Sequence, residues 1–406
     1  MRGLLAHRDA RLYLSGQVMS LFGDSALWLA MAIWIKVLTG SSAAAGLSFF
    51  ALALGSLCGP LGGMLADRVR RRPLLIVTNL ATAGMVLLLL LVRDRHQVWL
   101  IYAVMVSYGV AGSILGPAQT ALVQAILPAR LLADANGALQ TAQQGLRLVT
   151  PLAGAGLFAA FGPVPVIIGD AATFVIAVAT LLAIRLRETA PAPSGQRWLA
   201  ELTAGARHIA RTVVLRQLSV TAAVVVTAYG LSETVIFAVV SQGLHKPASF
   251  LGILVSAQGV GAIAAGLTAA PIIRRLSEGR LASLGMIAAA IGFLLLIAPQ
   301  LAAVLAGCAL LGASLSWIIV GIMTLMQRST PPELMGRTDA AFTVGYAVPQ
   351  TIAIAAGAGL IAVLNYRILL LAIAALMALA AAYLATRREQ RRAATAMPQA
   401  APAGDR

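Results

Sequence analysis

Charge is scarce in this chain, and acidic charge scarcer still: 11% of its 406 residues are charged, with 14 Asp and Glu against 30 Lys and Arg. Soluble domains carry about a quarter charged residues. With 60% apolar residues, a soluble globular fold is excluded and an all-α polytopic membrane protein is implied. Lysine is nearly missing: 28 of the 30 basic residues are arginines spread through short loops, which excludes the clustered face of a nucleic-acid footprint. The two cysteines, Cys58 and Cys308, fall inside apolar runs, where they pack as small hydrophobes, so no disulfide framework is expected. His7, His96, His208 and His245 show no ligand spacing, and no metal site is expected. No G-x-x-x-x-G-K-[ST] run exists, no nucleophile–base spacing marks an enzyme, and no short apolar core with a small-residue cleavage site precedes the first long span, so no cleaved signal peptide is expected.

What is present is a succession of uncharged runs broken by arginine. Ser42 to Ala66 and Leu74 to Val92 carry no charge, and each can cross a hydrocarbon core of about 30 Å as a helix. Between them lies a basic elbow, Gly63 to Pro73. Runs bounded by charge, Pro or Gly predict twelve spans, at 11–38, 43–66, 74–92, 98–126, 132–161, 164–185, 215–242, 248–273, 281–298, 300–326, 333–363 and 366–386. Assigned alternately, 24 basic residues fall on one side and four on the other. That asymmetry orients both termini toward the cytoplasm, in an inner (cytoplasmic) membrane. The expected organisation is a six-helix half over 1–186, a cytoplasmic loop over 187–214 with a short amphipathic helix at 198–211, a second six-helix half over 215–386, and a disordered basic tail over 387–406.

The halves superpose in sequence at one offset, 203 residues. Gly63 falls on Gly266, Arg71-Arg72 on Arg274-Arg275, Gly109 on Gly312, Gln124 on Gln327, Pro128 on Pro331, and Gly154-Ala155-Gly156-Leu157 on Gly357-Ala358-Gly359-Leu360. Because six spans is an even number, both copies enter the membrane in the same direction, as a parallel repeat.

These features, with Gly63-x-x-x-Asp67-Arg68-x-x-Arg71-Arg72 between spans two and three, resemble the major facilitator superfamily over about 11–386. Arg70 stands where that family usually has a second Gly, which bears on the turn because Arg adopts φ > 0 less readily. Ala270 stands where Asp67 would map in the second copy. The resemblance implies that Gly63, Asp67, Arg68, Arg71 and Arg72 form a conformational latch, Asp67 binding near Pro332 to Arg337 in the outward-open state. Pro117-Ala118, Ala133-Asp134-Ala135-Asn136-Gly137 and Thr150-Pro151-Leu152-Ala153-Gly154 resemble the bacterial branch of macrolide, multidrug and siderophore exporters. The last also resembles a partial antiporter motif, with Thr150 in place of Gly.

An intramembrane charge costs at least a few kcal/mol at a helix centre, so each asks for a role. Asp24 lies mid-span on a stripe with Gln17, Ser20 and Trp28, placed to take and release a proton; the competing reading is a carboxylate permanently paired between helices. Arg147 shares a face with Gln140, Gln143 and Gln144 and could pair with Asp24 at the same depth, or brace the bundle. Glu233 stands between Tyr229 and Phe237 at i−4 and i+4, an arrangement suited to amphipathic cations through charge and cation–π contact, or to the vestibule wall; with Asp24 and Arg147 it makes up the expected proton-coupling set. Asp170, closer to water, with Trp317 and Gln350, completes the expected substrate cavity.

The function expected is proton-coupled export of a lipophilic or amphipathic small molecule, drug- or siderophore-like, by alternating access, without a cofactor and with Na⁺ as the other candidate ion. The partners expected are the lipid bilayer and that small molecule, with no nucleic acid, and the protein is expected to act as a monomer. Two alternatives stand beside it: nutrient import by the same fold, and a non-transporting receptor or scaffold.

Overall fold

A computed structural model of the protein describes residues 8–59, 62, 65, 68–127, 129–184, 198–331 and 334–386. Among these residues the regular structure is helical throughout, as it must be for open chain in lipid, where every backbone polar group has to be bonded internally. The helices are α1 (Arg8–Thr39), α2 (Ser42–Ser56), α3 (Arg71–Leu87), α4 (Val98–Ile126), α5 (Ala129–Phe161), α6 (Val164–Ala183), α7 (Trp198–Arg211), α8 (Val213–Ala238), α9 (Leu251–Leu276), α10 (Glu278–Leu295), α11 (Leu301–Arg328), α12 (Met335–Val363) and α13 (Tyr366–Ala385). Ten helical stretches are long and apolar enough to cross a bilayer among the described residues. The second and fifth expected spans fall short by that measure. α2 ends at Ser56, and the apolar part of α5 is only Val149–Phe161, because its first half carries Asp134, three Gln and Arg147.

The repeat seen in sequence recurs in the packing. In the first half α1 packs on α5 and α6, α2 on α4, and α3 on α4 and α6; in the second, α8 packs on α12 and α13, α9 on α11, and α10 on α11 and α13. Each pair has its counterpart 203 residues on. The repeated glycines make these crossings close, as small residues do where lipid supplies no hydrophobic drive. A Cβ on Gly109 would lie 2.2 Å from the Leu52 carbonyl oxygen, and one on Gly312 would lie 1.7 Å from that of Gln258. Gly154 meets Ala26 of α1, and its repeat partner Gly357 meets Leu231 of α8.

The halves join along two seams, α2 with α12 and α5 with α9, which exchange under the same repeat. Alternate helix ends define a basic end, holding the arginine-rich connections, and an opposite end. Residue contacts between halves are tight toward the opposite end: Gly46 against Thr234, Gly252 against Pro151 and Ala155, and the ring series Trp28, Phe49, Phe237 at 5.4 and 6.0 Å between successive centroids. At the basic end α7 docks on α12, where a Cβ on Gly205 would come within 1.9 Å of the Arg337 carbonyl oxygen.

Arg70 has φ −58° and ψ 129°, ordinary extended backbone, so position 70 does not need the left-handed conformation that glycine would supply. Arg72 donates from Nε to the Leu181 carbonyl at 2.8 Å and from Nη2 to that of Leu182 at 2.9 Å, satisfying orphan carbonyls at the end of α6. Gly63 and Asp67 lie outside the described residues.

Candidate functional site: a buried carboxyl pair in the first half

Three helices of the first half bring polar groups to one point inside the bundle. The Tyr108 hydroxyl, on α4, donates to Asp24 Oδ1 on α1 and lies 3.4 Å from Asp170 Oδ1 on α6. Tyr108 is held edge-on to Phe174, with centroids 5.9 Å apart. α1 can approach α6 here because residue 23 is glycine: a Cβ would stand 2.6 Å from Asp170 Oδ1 and 2.5 Å from Thr173 Oγ1. Asp170 is 1% exposed, and its Oδ2 has no hydrogen-bond partner among the described residues. One hydroxyl proton thus faces two carboxyl groups in a low-dielectric interior, where like charges repel strongly.

Toward the basic end the same seam stays polar. Gln17 Nε2 donates to Gln119 Oε1 at 3.3 Å across α1 and α4. A Cβ on Gly16 would stand 2.3 Å from Thr180 Oγ1 of α6. A narrow crevice runs here between α1, α3, α4 and α6, lined by Gln17, Ser20, Asn79, Gln119 and Thr180 above Tyr13.

The other expected site residues are dispersed. Asp170, expected close to water, is buried because α1 closes on α6 beside it at Gly23. Arg147 was expected at the depth of Asp24. The Gly154–Ala26 contact puts its backbone about five residues, roughly 7 Å, nearer the basic end than Asp24. The side chains of Arg147, Gln140 and Gln144 lie outside the described residues; Gln143 is half-buried. Glu233 is half-buried on α8, with no hydrogen bond or ion pair to another described residue. Its aromatic neighbours are engaged: the Tyr229 hydroxyl lies 2.6 Å from Ser314 Oγ and donates to the Leu311 carbonyl at 3.0 Å, while Phe237 is 2% exposed in the inter-half ring series. Trp28 stands edge-on to Phe49 in that series. Trp317 Nε1 donates to the Ala265 carbonyl of α9 at 3.1 Å and to Thr268 Oγ1 at 3.2 Å, and Gln350 turns its carbonyl toward Gly230. Of the latch residues, Arg68 is exposed and Arg71 half-buried, while Arg72 caps α6. No group of three or more His, Cys, Asp or Glu side chains is placed to hold a metal among the described residues.

The sequence reading missed Tyr108, the residue that joins Asp24 to Asp170. The available signal was one buried polar group at middle depth in each of spans one, four and six.

The Major Facilitator Superfamily profile matches residues 13–240 and 218–403. The chain belongs to this superfamily. It is a multi-pass membrane transporter, and transport is not an enzymatic activity. Among curated proteins, macrolide efflux protein A of Streptococcus pyogenes is 28% identical over 178 residues, 42% of this chain; the match spans 43%, less than half, of that relative. Among solved structures, the POT family transporter PepTSo has a TM-score of 0.76 at 12% identity, covering 96% of this chain and 99% of that one. A bacterial homologue of the iron transporter ferroportin in its inward-facing state has 0.69 at 16% identity, covering 93% and 98%. At these identities the structures share the superfamily fold and carry no information on substrate.

Proposed function

We propose that this transporter exports lipophilic or amphipathic small molecules, macrolide-like or siderophore-like compounds among them, from the cytoplasm across the inner membrane in exchange for protons. The observation that carries the coupling is the meeting of Asp24 and Asp170 at the single hydroxyl of Tyr108. The pair holds one exchangeable proton, and its loading and release alternate with rocking of one six-helix half against the other. The second half has no equivalent: 203 residues on stand Thr227, Leu311 and Ile373. The carboxyl pair therefore belongs to the first half, and the second half moves relative to it. Export is supported by the 28% identity to a macrolide efflux protein and by the exporter-like segments around Pro117 and Pro151. The partly buried Glu233, unpaired among the described residues, marks the cavity-side position suited to a cationic or neutral compound.

Inverted vesicles provide the test. A panel of macrolides and lipophilic cations is scored for uptake driven by an imposed pH gradient and for proton release on substrate addition, with wild type, Asp24→Asn and Asp170→Asn. Uptake that no longer responds to the gradient in either variant is the expected result. Undiminished gradient-driven uptake in both would sink the assignment.

A further inference from the structure

The carboxyl pair lies inside one half, so its proton needs a route. We infer that the crevice between α1, α3, α4 and α6 is a relay on that route: a single-water site below the Asp24–Tyr108–Asp170 group that passes its proton from the basic end. The inference rests on the proton-coupled reading above.

Three observations converge on it. The crevice is lined wholly by first-half residues and has room for about one water molecule. Polar groups interrupt an apolar lining that includes Leu75, Ala177 and Leu181: Gln17 and Gln119 face each other at 3.3 Å, and Ser20, Asn79 and Thr180 follow along the seam. Asn79 donates Nδ2 to the Leu75 carbonyl, which leaves its side-chain oxygen as an acceptor on the crevice side of α3. Ser20 is four residues, about 6 Å, below Asp24 on the same face of α1. Across from it on α6 the order Thr180, Thr173, Asp170 climbs in parallel, Gly16 abutting Thr180 and Gly23 abutting Thr173 and Asp170. The Thr180 and Thr173 hydroxyls donate to the Ala177 and Asp170 carbonyls, so their oxygens remain able to accept a proton-bearing water.

The series ends at Asp170 Oδ2, a buried acceptor left without a partner among the described residues. The charged groups around it are few. α2 has no ionisable side chain, Arg71 and Arg72 stand at the basic end of α3, and the Arg147 side chain on α5 lies outside the described residues.

Two measurements in proteoliposomes test the route without a transported substrate. In a Cys58→Ser, Cys308→Ala background, Ser20→Cys is exposed to silver ion, a water-sized thiol reagent, and the remaining free thiol is counted after denaturation. The infrared carbonyl band of protonated carboxyl groups is followed after a pH jump, with Asp24→Asn and Asp170→Asn identifying the band. The expected results are consumption of the Ser20→Cys thiol, its protection by Asn79→Leu, and an infrared response about tenfold slower in Asn79→Leu. A thiol that silver does not reach, or a response as fast in Asn79→Leu as in wild type, overturns the route alone. Absence of any pH-responsive carboxyl band in wild type overturns the coupled reading and the route with it.

Discussion

Gly46 of α2 lies so close to Thr234 of α8 that a Cβ on the glycine would stand 2.2 Å from the threonine Oγ1 and 2.5 Å from its Cγ2. Thr234 is fully buried and β-branched, so it has little rotamer freedom to retreat into. The halves close on each other here because position 46 has no side chain. Gly46→Val is expected to wedge them apart at a cost of about 1–3 kcal/mol, roughly five- to a hundredfold in the population closed at this end. Spin labels at Val37→Cys and Lys246→Cys, both exposed at that end, should report a longer separation. An unchanged distance distribution would show that the contact does not govern closure.

Tyr108→Phe keeps the ring against Phe174 and removes the one hydroxyl shared by Asp24 and Asp170. Leaving a buried acceptor without its donor costs about 1–3 kcal/mol, so gradient-driven uptake should fall roughly five- to a hundredfold. Detergent-solubilised protein should stay monodisperse, because the packing is retained. The informative pattern is a loss in kcat with KM nearly unchanged. A variant with wild-type uptake at every imposed gradient would refute a role for the shared proton.

The fold was legible because lipid leaves few options. Charge-free runs must be helices, arginine marks one end, and repeated glycines such as Gly109 and Gly312 record a duplicated packing. Asp24 was legible as a site for the same reason, since a mid-span acid has to be accounted for. Its partners were not. Asp170 looked peripheral when judged by distance along its own span, and only the α1–α6 approach at Gly23 shows that it is buried. Tyr108 carries no charge, so a search for intramembrane ions passes over it. For Arg147 the sequence supplies only a depth counted from span ends, whereas Gly154 against Ala26 sets the alignment of the α5 backbone on α1.

Arg72 and Asp67 belong to one motif but should separate in experiment. Arg72 bonds two carbonyls at the end of α6 within its own half. Arg72→Ala should therefore lower the thermal midpoint in detergent, through a loss of about 1–3 kcal/mol. Asp67→Ala, at the expected latch between halves, should slow turnover while leaving substrate affinity largely intact. Equal losses of stability in both variants, with turnover changing in parallel, would count against that division of labour.

Ser277, which joins α9 to α10, has φ 112° and ψ 162°, a backbone region that is almost exclusively glycine's and costs a side-chain-bearing residue about 1–3 kcal/mol. What holds it there is the residue that follows. Glu278 is 2% exposed, forms an ion pair with Arg328 at the end of α11, and places its carbonyl against Gly321. A buried charge cannot leave its partner without a larger penalty, so the turn yields instead. Glycine at 277 would remove the side-chain clash and lose part of that gain to greater freedom in the unfolded chain. Ser277→Gly should then stabilise by about 1 kcal/mol net, read as a higher thermal midpoint. Ser277→Val should lower it, since a β-branched residue tolerates positive φ least. A midpoint that falls in Ser277→Gly would mean that the serine is held by something other than its neighbour's ion pair.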